Sequence, residues 1–463
     1  MMKYLLRRLR VTRLATAMLL FFLLLVGLVN ASQTGFHSND SGVRAKDPGV
    51  REGLPDSGSP LPGLTSSELA LFGVGKEDFE ETEGVGDGLG PRFNLDGCAV
   101  CHAAPDVGGT SPAVNPQVAV ATAFGADNIV PFFVERDGPV REARFKYKYS
   151  NNTKTRDGGV HDLFVISHRV DTTGDASGCN IEQEDFKAQA KLGNLIFRIP
   201  TPVFGAGLIE QIPDGGITDN YAVDRRLKSA LGIFGHPNSN GNDGTITRFG
   251  WKAQNKSLLL FSGEAYNVEM GISNELFQAE RDETPNCQFA HMPNDITNTD
   301  GGTGNNTLSS IEKFSAFMRL LAPPTPSLTT PGGATSIDNG RALFKSVGCA
   351  YCHTPTLTTG TTSVAALSNQ NVNLYSDLLV HRMGTRLADD IIQGQAGPDE
   401  FRTAPLWGLG QRIFFLHDGR TSDLLEAIGM HSSRSSEANS VINNFNKLRE
   451  EQKQDLLNFL RSL

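Results

Sequence analysis

Two short patterns in the sequence carry four of its six cysteines. Each reads C-x-x-C-H, with Cys98, Cys101 and His102 in the first copy and Cys349, Cys352 and His353 in the second. This spacing is typical of c-type haem attachment, because the thiols form thioethers with the porphyrin vinyl groups and the imidazole becomes the proximal iron ligand. A single copy could instead be a redox or zinc C-x-x-C, but two copies in one chain favour haem. The predicted cofactors are two covalently bound haem c groups.

The N-terminus has the layout of a secretory signal peptide over residues 1–31. Basic residues precede an apolar run from about Leu14 to Val29, and Val29-Asn30-Ala31 offers a small-residue cleavage site. An uncleaved membrane anchor is the alternative, since the run is slightly long for a signal peptide and short for a full span. No later stretch is apolar enough to cross a bilayer. We therefore expect a periplasmic protein with no stable membrane span after cleavage.

The charge of the chain agrees with export. Removal of the signal peptide takes away five basic residues and changes the formal net charge from −9 to −14. Such an acidic chain argues against a nucleic-acid partner. Haem c is attached on the outer side of the cytoplasmic membrane, where a signal peptide would deliver the chain.

Composition divides the rest of the chain into a leader and two haem domains. Residues 32–62, rich in Gly, Ser, Asp and Pro, predict a flexible leader. An N-terminal haem c domain is expected over 63–322, with an insertion at about 118–245 whose β-formers and turn signals indicate strands. A linker at 323–334 leads to a C-terminal cytochrome c domain at 335–463. The expected fold is mainly α, with two cytochrome c-like haem domains, the first carrying a long, loop-rich, partly β insertion.

A weak internal repeat supports two related domains. Thr201–Gly207 reads TPVFGAG, and Thr403–Gly410 reads TAPLWGLG in the second half. Each half thus has the order C-x-x-C-H, a Pro- and Gly-rich loop, an apolar turn and a helix.

The sixth ligand of each iron decides between electron transfer and catalysis, because peroxide or dioxygen needs an open axial position. For the second haem, His431 is the expected ligand and Met430 the alternative, and a surface histidine is the remaining interpretation. For the first haem, the repeat places Glu264 and Ala265 at the matching position, where there is no ligand. We expect an open, high-spin first haem, although a histidine of the insertion could still reach the iron: His161, His168 or His236.

Two segments resemble bacterial di-haem cytochrome c peroxidases. Residues 248–270 are similar to their distal segment, and Phe415–Arg420, FLHDGR, is similar to their C-terminal F-H-D-G segment. Over most of the mature chain the sequence is similar to the di-haem oxidoreductase family. Rubber oxygenase and the di-haem enzyme that matures tryptophylquinone cofactors are more distantly similar. The insertion is longer than in the simple peroxidases.

The resemblance implies roles for four residues. Glu269 falls at the acid/base that moves a proton between the peroxide oxygens, and Trp251 at a tryptophan between the haems that is suited to relaying electrons. His431 falls at the sixth ligand of the C-terminal haem, and His417 at a histidine that is structural or near a haem propionate. On the residues alone, a solvated glutamate and a core tryptophan are the simpler interpretations.

The sequence also departs from the peroxidases. Phe261 lies near the position of a distal glutamine, and their distal-loop histidine has no counterpart after His102. Both departures leave room for an oxygenase or an organic substrate. An interdomain calcium ion is left open, although the Thr and Pro beside the F-H-D-G segment are not matched. The remaining cysteines, Cys179 and Cys287, are expected to form a disulfide in an oxidising compartment.

The expected function is that of a periplasmic di-haem c-type oxidoreductase. Its C-terminal haem would pass electrons to an N-terminal haem that reduces hydrogen peroxide with the help of Glu269. The expected partners are a periplasmic donor, either a cytochrome or a cupredoxin, and hydrogen peroxide or a small organic substrate. Oxygenase-type oxidation of an organic substrate is one alternative, and a plain di-haem electron-transfer protein is the other.

Overall fold

The computed structural model describes residues 44–51, 57–150 and 153–463. The predicted signal peptide lies outside the described residues, as does most of the predicted leader. Within the described ranges, no helix is long and apolar enough to cross a membrane. Residues from Ala45 to Leu463 form one compact unit that contains both C-x-x-C-H motifs, and the predicted division into two haem domains stays a prediction.

The helices of the described chain are mostly short. They are α1 (Ser66–Phe79), α2 (Cys98–Cys101), α3 (Gln117–Val120), α4 (Phe186–Lys191), α5 (Ala206–Glu210), α6 (Asp214–Ala222), α7 (Arg225–Leu231), α8 (Leu258–Met270), α9 (Ser310–Leu320), α10 (Ala334–Val347), α11 (Leu424–Met430), α12 (Asn439–Asn446) and α13 (Glu450–Ser462). The strands are β1 (Arg92–Phe93), β2 (Glu142–Ser150), β3 (Thr153–His161), β4 (Phe164–Val165), β5 (Leu195–Arg198), β6 (Asn238–Ser239), β7 (Ile246–Thr247), β8 (Leu357–Thr358), β9 (Asn371–Val372), β10 (Val380–Arg382) and β11 (Glu400–Arg402). They form a three-stranded sheet in the order β3-β2-β5 and the two-stranded pairs β1-β4, β6-β7, β8-β9 and β10-β11.

The expectation of a mainly α fold is wrong. Helices make up 33% of the structure and strands 13%, with small sheets in both halves. In the insertion, β2 and β3 are each nine residues long and dominate the local structure. In the second half, β8 to β11 are only two or three residues long. A period-two pattern cannot be recognised over so few residues, so the sequence did not reveal these strands.

Both halves contain the same arrangement of packed helices. Helix α1 precedes the first motif and packs against α9, and α10 precedes the second motif and packs against α13. The approach is close enough to require glycine at both contacts. A Cβ on Gly75 of α1 would lie 2.5 Å from the Lys313 carbonyl oxygen of α9, and a Cβ on Gly340 of α10 would overlap the Asp455 carbonyl oxygen of α13.

The Pro- and Gly-rich loops of the sequence repeat meet these closing helices in the same way. A Cβ on Gly207 would overlap the carbonyl oxygen of Arg319 in α9. A Cβ on Gly410 would overlap the carbonyl oxygen of Arg461 in α13. The repeat read from the sequence therefore has a structural counterpart in two separate contacts.

Helix α8 is delimited by its own sequence. The Ser257 side chain accepts a hydrogen bond from the Leu260 amide at its start. Gly271 ends it in the left-handed conformation at φ +78°, where a Cβ would lie 2.5 Å from the Arg92 carbonyl oxygen. The cap at Ser257 and the close contact of Gly271 with Arg92 fix the two ends of α8, and so the position of its last turn.

The three-stranded sheet brings charged side chains to one face. Strand β2 pairs with β5 so that Glu142 lies opposite Arg198. Ala143 and Phe145 alternate with the charged residues of β2 and are buried in the larger hydrophobic core. Because side chains alternate across a strand, Glu142 and Arg144 share the other face.

Cross-links join parts of the chain that are distant in sequence. Cys179 and Cys287 form the expected disulfide. The larger hydrophobic core includes Trp407 of the second half, and the core of the C-terminal half includes Ile233 of the insertion. The two halves are therefore joined by apolar contacts as well as by the backbone.

Candidate functional site

The first C-x-x-C-H motif lines a cleft of about 1260 Å³. Helix α2 runs from Cys98 to Cys101, and His102 caps it by donating its amide to the Cys98 carbonyl. Both thiols and the imidazole line the cleft. Neither thiol is in a disulfide, and burial raises the pKa of both. Both thiols are therefore available for thioether bonds to a porphyrin.

The second motif lines another cavity, of about 1430 Å³. Cys349–Tyr351 form a single 3₁₀ turn, followed by Cys352 and His353. His431, at the end of α11, lines the same cavity. The pKa of His353 is lowered to about 4, because burial and then the charge of His431 oppose its protonation. The two imidazoles thus lie close enough in one cavity to interact electrostatically.

Three histidines at these cavities share one hydrogen-bond geometry. In each, Nδ1 lies 2.8–3.0 Å from a backbone carbonyl oxygen: His102 with Gly109, His353 with Tyr375, and His431 with Ala427. A carbonyl oxygen only accepts, so each Nδ1 carries the proton and each Nε2 keeps its lone pair. Histidines that bind metals typically donate their other ring N–H in this way.

The other two histidines on the second cavity are held differently. His381 contacts Asp377 through Nε2 at 2.9 Å and Glu437 through Nδ1 at 2.8 Å, so both ring nitrogens are used. His417 has no carbonyl partner for its ring within the described chain and stacks on Phe401, with the ring centroids 4.3 Å apart.

His353 and His431 are therefore the pair on this cavity with a carbonyl-bound Nδ1 and an unoccupied Nε2 within the described chain. His431 lies where the sequence predicts the sixth ligand. Met430, the alternative, does not contribute to the cavity lining.

A pair of carboxyl groups lies on the wall of the first cleft. Glu269, in the last turn of α8, and Glu142 of β2 both line it and are hydrogen-bonded to each other. Burial, and after it the neighbouring Glu142, raises the pKa of Glu269 well above its ordinary value. A hydrogen bond between two carboxyl groups needs one proton, and the raised pKa of Glu269 favours its protonated form. Such a pair can give and take protons at the cleft.

Other polar groups surround this pair. Asn94 Nδ2 donates to Glu269 at 3.2 Å, and Arg144 Nη1 lies 3.5 Å from Glu142. Glu264, also on the cleft wall, is hydrogen-bonded to Asn255, and burial raises its pKa. The carboxyl groups of the cleft are thus held by separate partners.

The first cleft has an aromatic wall and does not include the insertion histidines. Phe261 lies on its wall and stacks on Phe249, with ring centroids 6.2 Å apart. Within the described residues, His102 is the one histidine on the lining. The candidates from the insertion lie elsewhere: His161, His168 and His236.

Trp251 lies on the lining of both the first cleft and the second cavity. Its Nε1 donates to the Ile199 carbonyl oxygen at 2.9 Å, which fixes the indole ring. It also lines a smaller neighbouring cavity of about 540 Å³. The indole is therefore a wall that the two sites share.

The residues present fit two haem groups. Each cavity combines two free thiols with an imidazole whose Nε2 is available, which is the donor set of a c-type haem. The second cavity adds a further imidazole of the same kind. The described ranges contain no group of three or more His, Cys, Asp or Glu that could hold a metal ion, and the interdomain calcium stays a prediction.

Glu142 was not identified from the sequence. The alternation of charged and apolar residues over 142–145 predicts a strand with Glu142 and Arg144 on one face. What that face meets depends on the pairing of β2 with β5 and on the contact of Glu142 with Glu269 of α8. Neither the strand pairing nor the contact with α8 can be predicted from the neighbouring residues in the sequence.

Comparison with known proteins gives one family. The family model described as "Di-haem oxidoreductase, putative peroxidase" matches residues 138–463, a range that begins after the first C-x-x-C-H motif. No curated protein matches the chain. A structure of Kuenenia stuttgartiensis hydrazine synthase, pressurized with 20 bar of xenon, is 19% identical with a TM-score of 0.22. The match covers 33% of this chain and 55% of that chain.

Proposed function

The chain belongs to the di-haem oxidoreductase family, and on that premise we propose that it is a periplasmic c-type di-haem peroxidase. The family resemblance seen in the sequence is confirmed by this match. The first cleft would reduce hydrogen peroxide with electrons that enter at the second cavity. The observation that carries the proposal is the Glu142–Glu269 carboxyl pair on the wall that also holds Cys98, Cys101 and His102.

When bound, the two haem groups supply one-electron transfer at the second cavity and peroxide reduction at the first. Residues of both motifs and α11 would hold them, through thioethers from the cysteines and Nε2 of the histidines: Cys98, Cys101 and His102 in the first site, and Cys349, Cys352, His353 and His431 in the second. His102 is the one histidine on the described lining of the first cleft, which also includes Met270 and Met318, and the site we propose leaves the position opposite His102 open to peroxide.

The carboxyl pair would manage the protons of the reaction. Reduction of hydrogen peroxide to two waters consumes two electrons and two protons. One proton must move from one peroxide oxygen to the other before the O–O bond breaks with water as the leaving group. Glu142 provides an acceptor and Glu269 a donor, and the hydrogen bond between them returns the pair to its starting state.

Trp251 would connect the two sites. Electrons from a periplasmic cytochrome or cupredoxin would enter at the second cavity, and the indole that lines both sites offers an aromatic path between them.

An organic substrate in the first cleft is the second candidate. Phe261 lies on that wall near the position where the peroxidases have a glutamine, and Phe249 stacks on it. This candidate predicts dioxygen-dependent oxidation without added peroxide.

Steady-state peroxide turnover with a reduced donor cytochrome tests the proposal. Glu269→Gln is expected to lower turnover by about 10²–10⁴-fold, the usual contribution of a general acid–base group. Glu264→Gln, on the same helix but bonded to Asn255, is the matched control and is expected to lose less than about tenfold. Full peroxide turnover by Glu269→Gln would contradict the proposal.

A further inference from the structure

Two arginines on the second cavity have no carboxylate partner within the described chain. Arg402 ends strand β11, Arg412 follows the 3₁₀ turn Leu409–Gln411, and both side chains line the cavity. Arg412 is only 9% exposed, and its Nε has no hydrogen-bond partner in the described chain. Arg402 donates its Nε to the Gly250 carbonyl oxygen at 3.0 Å, which leaves its terminal nitrogens for another group.

Arg51, which is also buried, donates to two backbone carbonyl oxygens, but most of the other buried arginines in the described chain have a carboxylate partner. Several other buried arginines are paired with carboxylates at 2.6–3.0 Å: Arg169 with Asp96, Arg198 with Asp389, and Arg461 with Asp47. Burying a guanidinium without an anion is costly.

The free-energy cost of burying the two arginines appears as a lowered pKa for each of them. Burial lowers the pKa of both Arg402 and Arg412 to about 10, and the charge of Arg412 adds to the effect on Arg402. Two like charges that face one cavity therefore mark a place for an anion with two negative charges.

Backbone contacts hold the two arginines beside Trp251. The Arg402 amide donates to the Trp251 carbonyl oxygen at 2.9 Å, and the Arg412 carbonyl accepts from Arg461 Nη1 at 2.9 Å. Arg402, Arg412 and Trp251 also line the smaller neighbouring cavity together. The cations thus lie on the side of the second cavity that Trp251 forms.

We propose that Arg402 and Arg412 bind the two propionate carboxylates of the porphyrin in the second cavity, so that the propionate edge faces Trp251. The proposal rests on the proposed function in taking this cavity to hold a haem. A porphyrin carries its propionates on the edge opposite the one that thioethers to Cys349 and Cys352 would fix. Two carboxylates match two guanidinium groups in number and charge, and a guanidinium binds a carboxylate through two parallel hydrogen bonds.

Potentiometric titration of the holoprotein tests this assignment. The absorbance of the C-terminal haem is followed at pH 6 and pH 8 in the wild type, Arg402→Gln and Arg412→Gln. Reduction adds negative charge, which a nearby guanidinium stabilises, so each variant is expected to have a lower midpoint potential. A propionate without its cation has a raised pKa, so the potential of each variant is expected to fall more from pH 6 to pH 8 than that of the wild type.

Arg382→Gln is the matched control. Arg382 lies on β10, beside β11, but its side chain is 62% exposed and pairs with Glu400, so its loss is expected to leave the potential unchanged. Arg412→Lys keeps the positive charge and is expected to recover most of the wild-type potential. If a Gln variant fails to take up haem, the midpoint potential of Arg412→Lys still tests whether the positive charge at this position sets the potential.

Three results would overturn parts of the account, and they can be told apart. Potentials equal to that of Arg382→Gln, in variants whose mass shows both haems, would overturn the propionate site and leave the peroxidase proposal intact. A saturable shift of the wild-type potential on adding succinate would also overturn it, since the arginines would then hold an exchangeable dicarboxylate. A wild-type mass without the second haem would overturn the proposed function itself.

Discussion

The indole of Trp251 lies edge-on to the imidazole of His417, with ring centroids 6.4 Å apart and planes at 72°. His417 belongs to the lining of the second cavity, and Trp251 belongs to the linings of both cavities. Aromatic side chains are thus in contact at the boundary between the two candidate haem sites.

Trp251→Phe is expected to slow electron transfer from the second site to the first by about tenfold, equivalent to about 1.4 kcal/mol in the barrier. The smaller ring no longer spans the shared wall and loses the Nε1 hydrogen bond to Ile199. Stopped-flow reoxidation of the reduced second haem by peroxide measures the rate. Trp407→Phe is the control, because Trp407 is the chain's other tryptophan and lines only the smaller cavity. Equal rates in the two variants would argue against a relay through Trp251.

Glu142→Gln is expected to move the alkaline limb of the pH profile to lower pH. The hydrogen bond with Glu142 helps to raise the pKa of Glu269, and a glutamine amide would instead donate to the Glu269 carboxylate and lower that pKa. Activity that needs the proton on Glu269 then declines at lower pH. The measurement is kcat/KM for peroxide as a function of pH, and an unmoved limb would count against the carboxyl pair.

His431→Ala is expected to convert the second ferric haem from low spin to high spin. In the proposed haem site, removal of the imidazole would leave the iron without its sixth ligand, because Met430 does not line the cavity. Absorbance and electron paramagnetic resonance report the spin state. Met430→Leu should leave it low spin, and the opposite pattern in the two variants would assign the ligand to Met430.

Glu83→Gln is expected to reduce the loss of stability that occurs as the pH rises from about 4.5 to about 7. Glu83 accepts a hydrogen bond from the Tyr266 hydroxyl at 2.7 Å, and burial is the largest cause that raises its pKa from 4.5 to about 7. Because the folded-state pKa is raised, the stabilisation is complete below pH 4.5 and is lost as pH rises to about 7. The loss amounts to about 3 kcal/mol.

Urea unfolding of the wild type and Glu83→Gln at pH 5 and pH 8 measures this difference. Glutamine keeps an acceptor for Tyr266 but does not ionise, so the variant should lose less stability between the two pH values. Glu182→Gln, at an exposed position, should behave as the wild type. An identical loss in Glu83→Gln and the wild type would show that Glu83 does not carry the effect.

The sequence predicted the features that depend on neighbouring residues. Cys98 and His102 could be recognised because the proposed covalent attachment of haem would require them a few positions apart, and the structure places both on one cleft. Glu142 and Arg412 could not be recognised in this way. Glu142 reaches the cleft through the pairing of β2 with β5, and Arg412 is notable only because no carboxylate of the described chain accompanies it. Such properties arise from packing between distant segments.

The prediction of the fold class was wrong for a related reason. The sequence emphasised the helices, whose periodicity is visible over three or four turns, as in α9 and α13. The pairs β8-β9 and β10-β11 depend on contacts between segments more than ten residues apart and leave no local pattern.

Low-temperature electron paramagnetic resonance of the oxidised holoprotein, before and after one-electron reduction, tests the central claim most directly. The account predicts one high-spin ferric signal from the first site and one low-spin signal from the second. The low-spin signal should disappear first on reduction, while the high-spin signal remains and responds to peroxide. Two low-spin signals that persist after half-reduction would contradict an open first site and identify the protein as an electron carrier.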